Sequence, residues 1–138
     1  MKYFSIAEFL RSDTAEKYQV SNIPSDGELS KVLNNINALV NNVLDPLRAM
    51  IARPIVVTSG YRSPRVNELV GGSKTSQHLV GKAADIHVQG YTTQQMDMVY
   101  RTIQMYYDFD QLIFYPSKNI IHVSWNGDKN RQESWVKA

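Results

Sequence analysis

The chain of 138 residues has no cysteine and no long apolar run. Without cysteine it forms no disulfide bonds and offers no thiolate ligands, so a metal ion would have to bind histidine and carboxylate side chains. No apolar stretch approaches the roughly 18 residues of a membrane-spanning helix. The sequence therefore predicts no membrane partner, and it restricts any metal site to His, Asp and Glu.

An excess of charge of one sign is also lacking. The 15 Lys and Arg and 13 Asp and Glu leave a formal net charge of +2, and the basic residues are scattered. No nucleic-acid partner is expected from this distribution. Residues 1–8 lack the roughly 7 to 15 apolar residues of a signal peptide. We expect a protein made in the cytoplasm without a signal peptide, which acts on a cell wall only if released, for example by a phage or prophage route.

The length and composition are those of one globular domain, residues 1–138. The apolar fraction of 43% and the charged fraction of 20% are ordinary for such a domain. No feature indicates an oligomer, so a monomer is expected.

Capping boxes predict where four helices begin. In each, a Ser, Thr or Asp is followed three residues later by Glu or Gln: Ser5 with Glu8, Asp13 with Glu16, Ser25 with Glu28, and Thr92 with Gln95. Phe4 and Phe9 add a hydrophobic staple to the first box. We therefore expect a helix to start near Ile6.

Apolar residues at helical spacing predict two main helices, around residues 29–51 and 93–107. Pro46 falls inside the first, where it removes a backbone hydrogen bond and predicts a kink or a restart capped by Asp45. The asparagines of this helix, at positions 34, 35, 37, 41 and 42, lie mostly on its polar face and are expected to be solvated.

Four short apolar or β-branched runs predict strands, at residues 54–59, 84–88, 112–115 and 119–125. The last two are joined by a short turn and form a hairpin. The fold class is therefore α+β, a small and mainly antiparallel sheet with helices packed on it. The polar tail, 126–138, is expected to be weakly ordered unless Trp135 docks.

An imidazole and a carboxylate, His78 and Asp85, lie seven positions apart around Gly81. Both are zinc ligands, and an open catalytic zinc site takes three protein ligands. His122 is the candidate third ligand, because it faces away from its apolar neighbours in the last strand. From spacing alone the alternative stays open that both histidines are buried, hydrogen-bonded residues that bind no metal.

Three segments together resemble the M15 peptidases, the zinc D-Ala-D-Ala carboxypeptidases and related phage endolysins that cut peptidoglycan stem peptides. In chain order they are Ser59-Gly60-Tyr61-Arg62-Ser63, Ser76-x-His78-x-x-Gly81-x-Ala83-x-Asp85 and Ile121-His122-Val123-Ser124. The resemblance implies a hedgehog/DD-peptidase-like fold, a Zn²⁺ cofactor and hydrolysis of peptidoglycan stem peptides by a carboxypeptidase or endopeptidase.

The resemblance also implies the roles of individual residues. It assigns His78, Asp85 and His122 as the zinc ligands, and Arg62 as the catalytic and substrate-binding residue that holds the anionic end of the substrate. A guanidinium suits this task because its fork donates two parallel hydrogen bonds to a carboxylate. Ser76 and Gln77, beside the first ligand, are expected to contact the substrate or the ligand.

His87 is ambiguous, because it lies two residues after Asp85 on the same strand face. It could bind the same metal, lie near the site or be exposed at the surface.

The sequence departs from the family pattern at the general base. M15-like enzymes carry an acid shortly before the last histidine, but Asn119 stands three residues before His122, and no carboxylate lies between residues 111 and 121. Three explanations follow: Asp108 or Asp110 reaches the site, Tyr115 donates to the oxyanion, or the domain binds zinc and wall peptide without cutting it. A missing base typically lowers the rate by about 10²- to 10⁴-fold.

Overall fold

Five strands form a single sheet in the spatial order β1-β2-β4-β3-β5. The computed structural model describes every residue from Met1 to Ala138. The strands are β1 (Ile55–Ser59), β2 (Ala83–Val88), β3 (Gln111–Tyr115), β4 (Ile120–Ser124) and β5 (Glu133–Val136). All neighbouring pairs are antiparallel except β3 and β5. The predicted α+β class with a mainly antiparallel sheet is confirmed.

Six α-helices pack around this sheet: α1 (Ile6–Leu10), α2 (Asp13–Tyr18), α3 (Asp26–Leu39), α4 (Asp45–Ile51), α5 (Pro64–Leu69) and α6 (Thr93–Tyr106). Short 3-10 turns span Gln77–Val80 and Gly127–Lys129. No helix is long and apolar enough to cross a membrane.

The predicted capping boxes are confirmed for the first and last helices. Ser5 and Glu8 cap α1, and the rings of Phe4 and Phe9 lie 6.0 Å apart as the hydrophobic staple. The box predicted at Asp13 is wrong by one residue. Ser12 caps α2, because its hydroxyl accepts a hydrogen bond from the backbone N–H of Ala15 at 3.1 Å.

The chain stays helical across Pro46 through a π-helical turn, Val40–Leu44, that links α3 to α4. The wider turn accommodates a residue without an N–H. Of the two predicted alternatives, a kink or a restart capped by Asp45, the restart does not occur, because Leu44 before Asp45 is itself helical. The Asp45 carboxylate instead accepts hydrogen bonds from the backbone N–H groups of Lys2 and Tyr3. It therefore ties the start of the chain to this helix.

The C-terminal tail is ordered as β5, which pairs in parallel with β3. The prediction of a weakly ordered tail is wrong. Backbone bonds from Glu133 to Asp110 and from Lys137 to Phe114 hold the strand. Trp135 remains 40% exposed, so backbone pairing and not the docking of this ring orders the tail.

Alternating side chains divide the sheet into a core face and an open face. Ala84 and Ile86 of β2 and Ile121 and Val123 of β4 are fully buried in the core. Residues between them, including Asp85 and His122, point to the opposite face because strand side chains alternate. The open face carries the candidate site.

Candidate metal centre

Three side chains converge on the open face of the sheet. Asp85 of β2 and His122 of β4 are direct cross-strand partners, and His78 comes from the 3-10 turn beside them. Oδ1 of Asp85 lies 3.0 Å from Nδ1 of His122 and 3.3 Å from Nε2 of His78. One donor atom from each residue lies within 4.8 Å of the others. The structure therefore brings together all three residues predicted as metal ligands.

His78 is fixed by backbone contacts on both sides of its ring. Its Nδ1–H donates to the Gly60 carbonyl at 2.7 Å, which leaves Nε2 directed at Asp85. Its backbone N–H donates to Ser76 Oγ, and its carbonyl accepts from the Arg62 N–H at 3.0 Å. A histidine that donates its other ring nitrogen to a carbonyl is the usual arrangement for a metal ligand.

The loop after His78 needs a glycine. Gly81 has φ +78°, and a Cβ there would lie 2.8 Å from the Val32 carbonyl oxygen. Asn35, on the same helix as Val32, donates through Nδ2 to the Val80 carbonyl at 2.8 Å. Asn35 therefore holds the loop that follows the ligand and is not simply solvated as predicted, although its sequence position among other asparagines gave no signal of this.

The Asp85 side chain is a charged carboxylate within the ligand cluster. Burial alone would raise the pKa of Asp85, but hydrogen bonds from His122 and His78 outweigh burial and hold that pKa well below its usual range. Asp85 is thus a carboxylate with two imidazoles against it. Two imidazoles and a carboxylate without thiolates form a donor set that fits a divalent metal ion with an open coordination position.

Arg62 lies beside this cluster at the end of β1. Its guanidinium contacts Ser59 Oγ at 3.2 Å, Asn67 Oδ1 at 3.3 Å and Asp85 Oδ2 at 3.4 Å. Burial lowers its pKa while the nearby Asp85 raises it. The side chain is only 17% exposed and is held next to the cluster by long hydrogen bonds.

Asn22 is a buried residue of the site region that the sequence did not indicate. Its Nδ2 donates to the carbonyls of Leu10 and Tyr61, both at 2.9 Å, and its Oδ1 accepts from the Ser63 N–H at 2.7 Å. It therefore clamps the loop that carries Arg62 from both sides.

A cavity of about 770 Å³ opens over the cluster. The predicted catalytic and substrate-binding residues, Arg62, Ser76, Gln77 and Tyr115, all line it, and Asp85 is its only carboxylate. Burial raises the pKa of the Tyr115 phenol, with a further rise from Asp85 and an opposing effect of Arg62. The cavity is also lined by three basic residues, Lys118, Arg131 and Lys137. Sequence reasoning missed them, because two of the three come from the tail.

The residues considered as substitutes for the general base lie elsewhere. Neither Asp108 nor Asp110 lines the cavity. Asp110 is 1% exposed, and hydrogen bonds from Arg131 hold its pKa below the usual range despite burial. Asn119 ends the β3–β4 turn with φ 55°, and its Nδ2 donates to the Tyr91 carbonyl.

His87 is outside the cluster. Its Nδ1–H donates to the Asn119 carbonyl at 2.9 Å, and it does not line the cavity. The metal-binding cluster does not include His87, so the first of the three alternatives is not supported. The half-buried ring instead contacts the β3–β4 turn.

Comparison with known proteins identifies the family. A family model described as Peptidase M15 matches residues 2–124, which end before β5. Over 64 residues the chain is 42% identical to a zinc D-Ala-D-Ala carboxypeptidase of Streptomyces albus G. This alignment covers 45% of the chain and 25% of the relative, so the chain matches about a quarter of that protein's length.

Proposed function

The chain belongs to the peptidase M15 family, and on that premise we propose that it is a zinc-dependent peptidase that hydrolyses peptidoglycan stem peptides. One observation carries the proposal: His78, Asp85 and His122 place their donor atoms within 4.8 Å of one another beside Arg62 in an open cavity. The substrate implies action on the cell wall after release from the cytoplasm.

In this proposal His78, Asp85 and His122 hold the zinc ion. When bound, zinc supplies Lewis-acid chemistry, which polarises a carbonyl and makes water more acidic. Asp85 keeps its negative charge at neutral pH, so it needs no deprotonation to act as a ligand. The hydrogen bond that Nδ1–H donates to Gly60 orients the His78 ring so that Nε2 faces Asp85 and would be the ligand atom.

Arg62 binds the terminal carboxylate of the peptide. Its present hydrogen bonds are 3.2 to 3.4 Å long, near the upper limit for N–H···O contacts, so a carboxylate can replace them at small cost. A bidentate carboxylate fixes both the position and the orientation of the chain end.

Tyr115 donates a hydrogen bond from the cavity wall. A phenol has an ordinary pKa of about 10 and is neutral at pH 7, so it acts there as a donor and not as a base. Gln77 lines the cavity, and its Nε2 donates a hydrogen bond to Asp110 Oδ2 at 2.7 Å, which holds the side chain in place. In this proposal the Gln77 and Ser76 side chains contact the substrate from the cavity wall.

Zinc content and peptide release test the proposal together. Purified protein is loaded with zinc, its metal content is measured by elemental analysis, and it is incubated with purified peptidoglycan and with a soluble peptide ending in D-Ala-D-Ala. We expect one zinc per chain and release of D-alanine or cleaved stem peptide. Asp85→Asn should lose the metal and the release, whereas the matched control His87→Gln, at the neighbouring position of the same strand face, should retain both. Protein that binds no zinc would refute the proposal.

A second candidate function is supported by the small number of carboxylates in the cavity. Since Asp85 is the only one, no side chain there is placed to act as a general base. The protein would then be a zinc-containing module that binds wall peptide, or a morphogenetic partner, without cutting it. Zinc-loaded protein that binds the soluble peptide but releases no product would favour this module over the peptidase.

A further inference from the structure

The cavity continues across the sheet beyond the zinc ligands, past β3 to residues of the C-terminal tail, and the family match ends before that tail. Asp85, His122, Ile113 and Trp135 are successive cross-strand partners on β2, β4, β3 and β5. Partners in register point to the same face of a sheet. The open face therefore runs from Arg62 beside β1 and β2, over the metal ligands, to the C-terminal strand.

Two lysines line the far end of this face, together with Tyr115. Lys118 follows the end of β3, and its ammonium lies 5.7 Å from the centroid of the Tyr115 ring. Lys137 follows β5, where its backbone N–H donates to the Phe114 carbonyl at 2.8 Å. Both side chains line the cavity.

The carboxylates near this end are already engaged. Arg131 also lines the cavity but is bound to Asp110 through Nε at 2.9 Å and Nη2 at 3.0 Å. Glu133 contacts Arg131 at 3.5 Å and Gln111 at 3.2 Å, and it does not line the cavity. Neither Lys118 nor Lys137 forms an ion pair within the chain. Two positive charges therefore face the cavity without a partner.

The spacing of the strands gives the distance between Arg62 and the two lysines, and that distance sets the length of peptide that reaches both. Adjacent strands lie about 4.8 Å apart, so two to three strand spacings separate β2, beside Arg62, from β3 and β5, beside the lysines. That distance is about 10 to 14 Å. An extended peptide advances about 3.3 Å per residue, so three to four residues cover it.

We propose that Lys118 and Lys137 form a second anion-binding subsite, which makes the protein selective for acidic peptides with a carboxylate three to four residues before the C-terminal one. The inference rests on the proposed function for the role of Arg62, which holds the terminal carboxylate. The ligand is an acidic peptide that lies across the sheet. Its terminal carboxylate binds Arg62, and its second carboxylate binds Lys118 and Lys137.

Two peptide probes test this subsite. Both are N-acetylated pentapeptides ending in D-Ala-D-Ala, and they differ only in the fourth residue from the C-terminus, which is glutamate in one and glutamine in the other. Dissociation constants for zinc-loaded protein are measured by titration calorimetry at low and high salt, and KM is measured wherever cleavage occurs. Exposed ion pairs change affinity by about two- to fivefold each, so the glutamate probe should bind about 4- to 25-fold more tightly at low salt.

The preference should decline at high salt, because exposed charges are screened. In Lys118→Gln/Lys137→Gln the ratio between the probes should fall to near one. Lys129→Gln is the matched control, an exposed lysine of the same C-terminal segment that does not line the cavity, and it should keep the wild-type ratio.

The outcomes separate this inference from the proposed function. A wild-type ratio near one, a ratio that survives in the double variant, or failure of both probes to bind would overturn the second subsite. A normal ratio of affinities without any cleavage would refute the peptidase and leave the subsite standing. Cleavage of both probes at equal KM would support the peptidase and refute the second subsite.

Discussion

Removing the Asp110 carboxylate should destabilise the protein more than the loss of an ordinary surface acid. Asp110 is 1% exposed and accepts four hydrogen bonds. One comes from Gln77 Nε2, and three come from the backbone and guanidinium of Arg131. Through them the carboxylate connects the turn that carries a metal ligand, the start of β3 and the segment leading to β5. The variant to make is Asp110→Ala.

The magnitude follows from what each partner loses. Hydrogen bonds to a charged group contribute about 1.5 to 3 kcal/mol each, but several bonds to one carboxylate do not add fully. Arg131 is 51% exposed, so its guanidinium regains water. The half-buried amide of Gln77 and the backbone N–H of Arg131 regain less water than the guanidinium does. We expect a loss of about 3 kcal/mol in the free energy of unfolding, and a smaller loss in Asp110→Asn, which keeps one acceptor oxygen.

Urea unfolding of the wild type, Asp110→Ala and Asp110→Asn across pH provides the assay, with Asp97→Asn as an acid-to-amide control on α6. Because Arg131 lowers the folded-state pKa of Asp110, the carboxylate stabilises the fold above its unfolded pKa of about 3.9. That contribution is lost as the pH falls through the lower folded-state pKa. The difference between wild type and Asp110→Asn should therefore be largest near pH 7 and shrink below about pH 4. Equal stabilities at pH 7, or a difference that stays constant with pH, would refute the reasoning.

Three further substitutions test the supports of the site. Gly81→Ala should lower the free energy of unfolding, measured by urea unfolding, by about 1 to 3 kcal/mol, because the position has φ +78° and its Cβ would meet the Val32 carbonyl. The control Gly27→Ala places its Cβ in open space and should not lower it. Asn22→Ala should cost about 2 to 4 kcal/mol by the same assay and raise KM, since three buried backbone groups lose their partner. Arg62→Lys keeps the charge but loses the fork, so KM should rise about 10- to 100-fold; an unchanged KM would argue against a bidentate carboxylate.

Local signals in the sequence predicted most of the elements that frame the site. The capping box at Ser5 and the one at Thr92 form as expected, because such boxes depend on residues only three positions apart. The hairpin that delivers His122 was predicted from two apolar runs and a short turn, and it forms as β3 and β4. The convergence of His78 with the other two ligands rested on the family resemblance, since spacing alone left a metal-free alternative open.

The features that sequence reasoning missed depend on distant partners. The tail is ordered because Asp110 binds Arg131, 21 residues later, and because β5 then pairs with β3. Neither residue type predicts the other at that separation. The hydrogen bond of Asn35 to the Val80 carbonyl spans 45 residues in the same way. The π-helical turn before Pro46 was missed for a different reason, since proline predicts an interruption without specifying its geometry.

The same side-chain alternation that builds the core also assembles the ligands. Ala84 and Ile86 are buried on either side of Asp85, which faces the cavity, and Ile121 and Val123 are buried on either side of His122 in the same way. Side chains of a strand alternate between its two faces with a period of two residues. A slip of one residue in the β2–β4 register would therefore expose these apolar side chains and point His122 towards the core. Burying an unpaired imidazole there while exposing the apolar groups would cost several kcal/mol. Hydrophobic burial therefore excludes one-residue slips and keeps both Asp85 and His122 on the open face, where they are cross-strand partners.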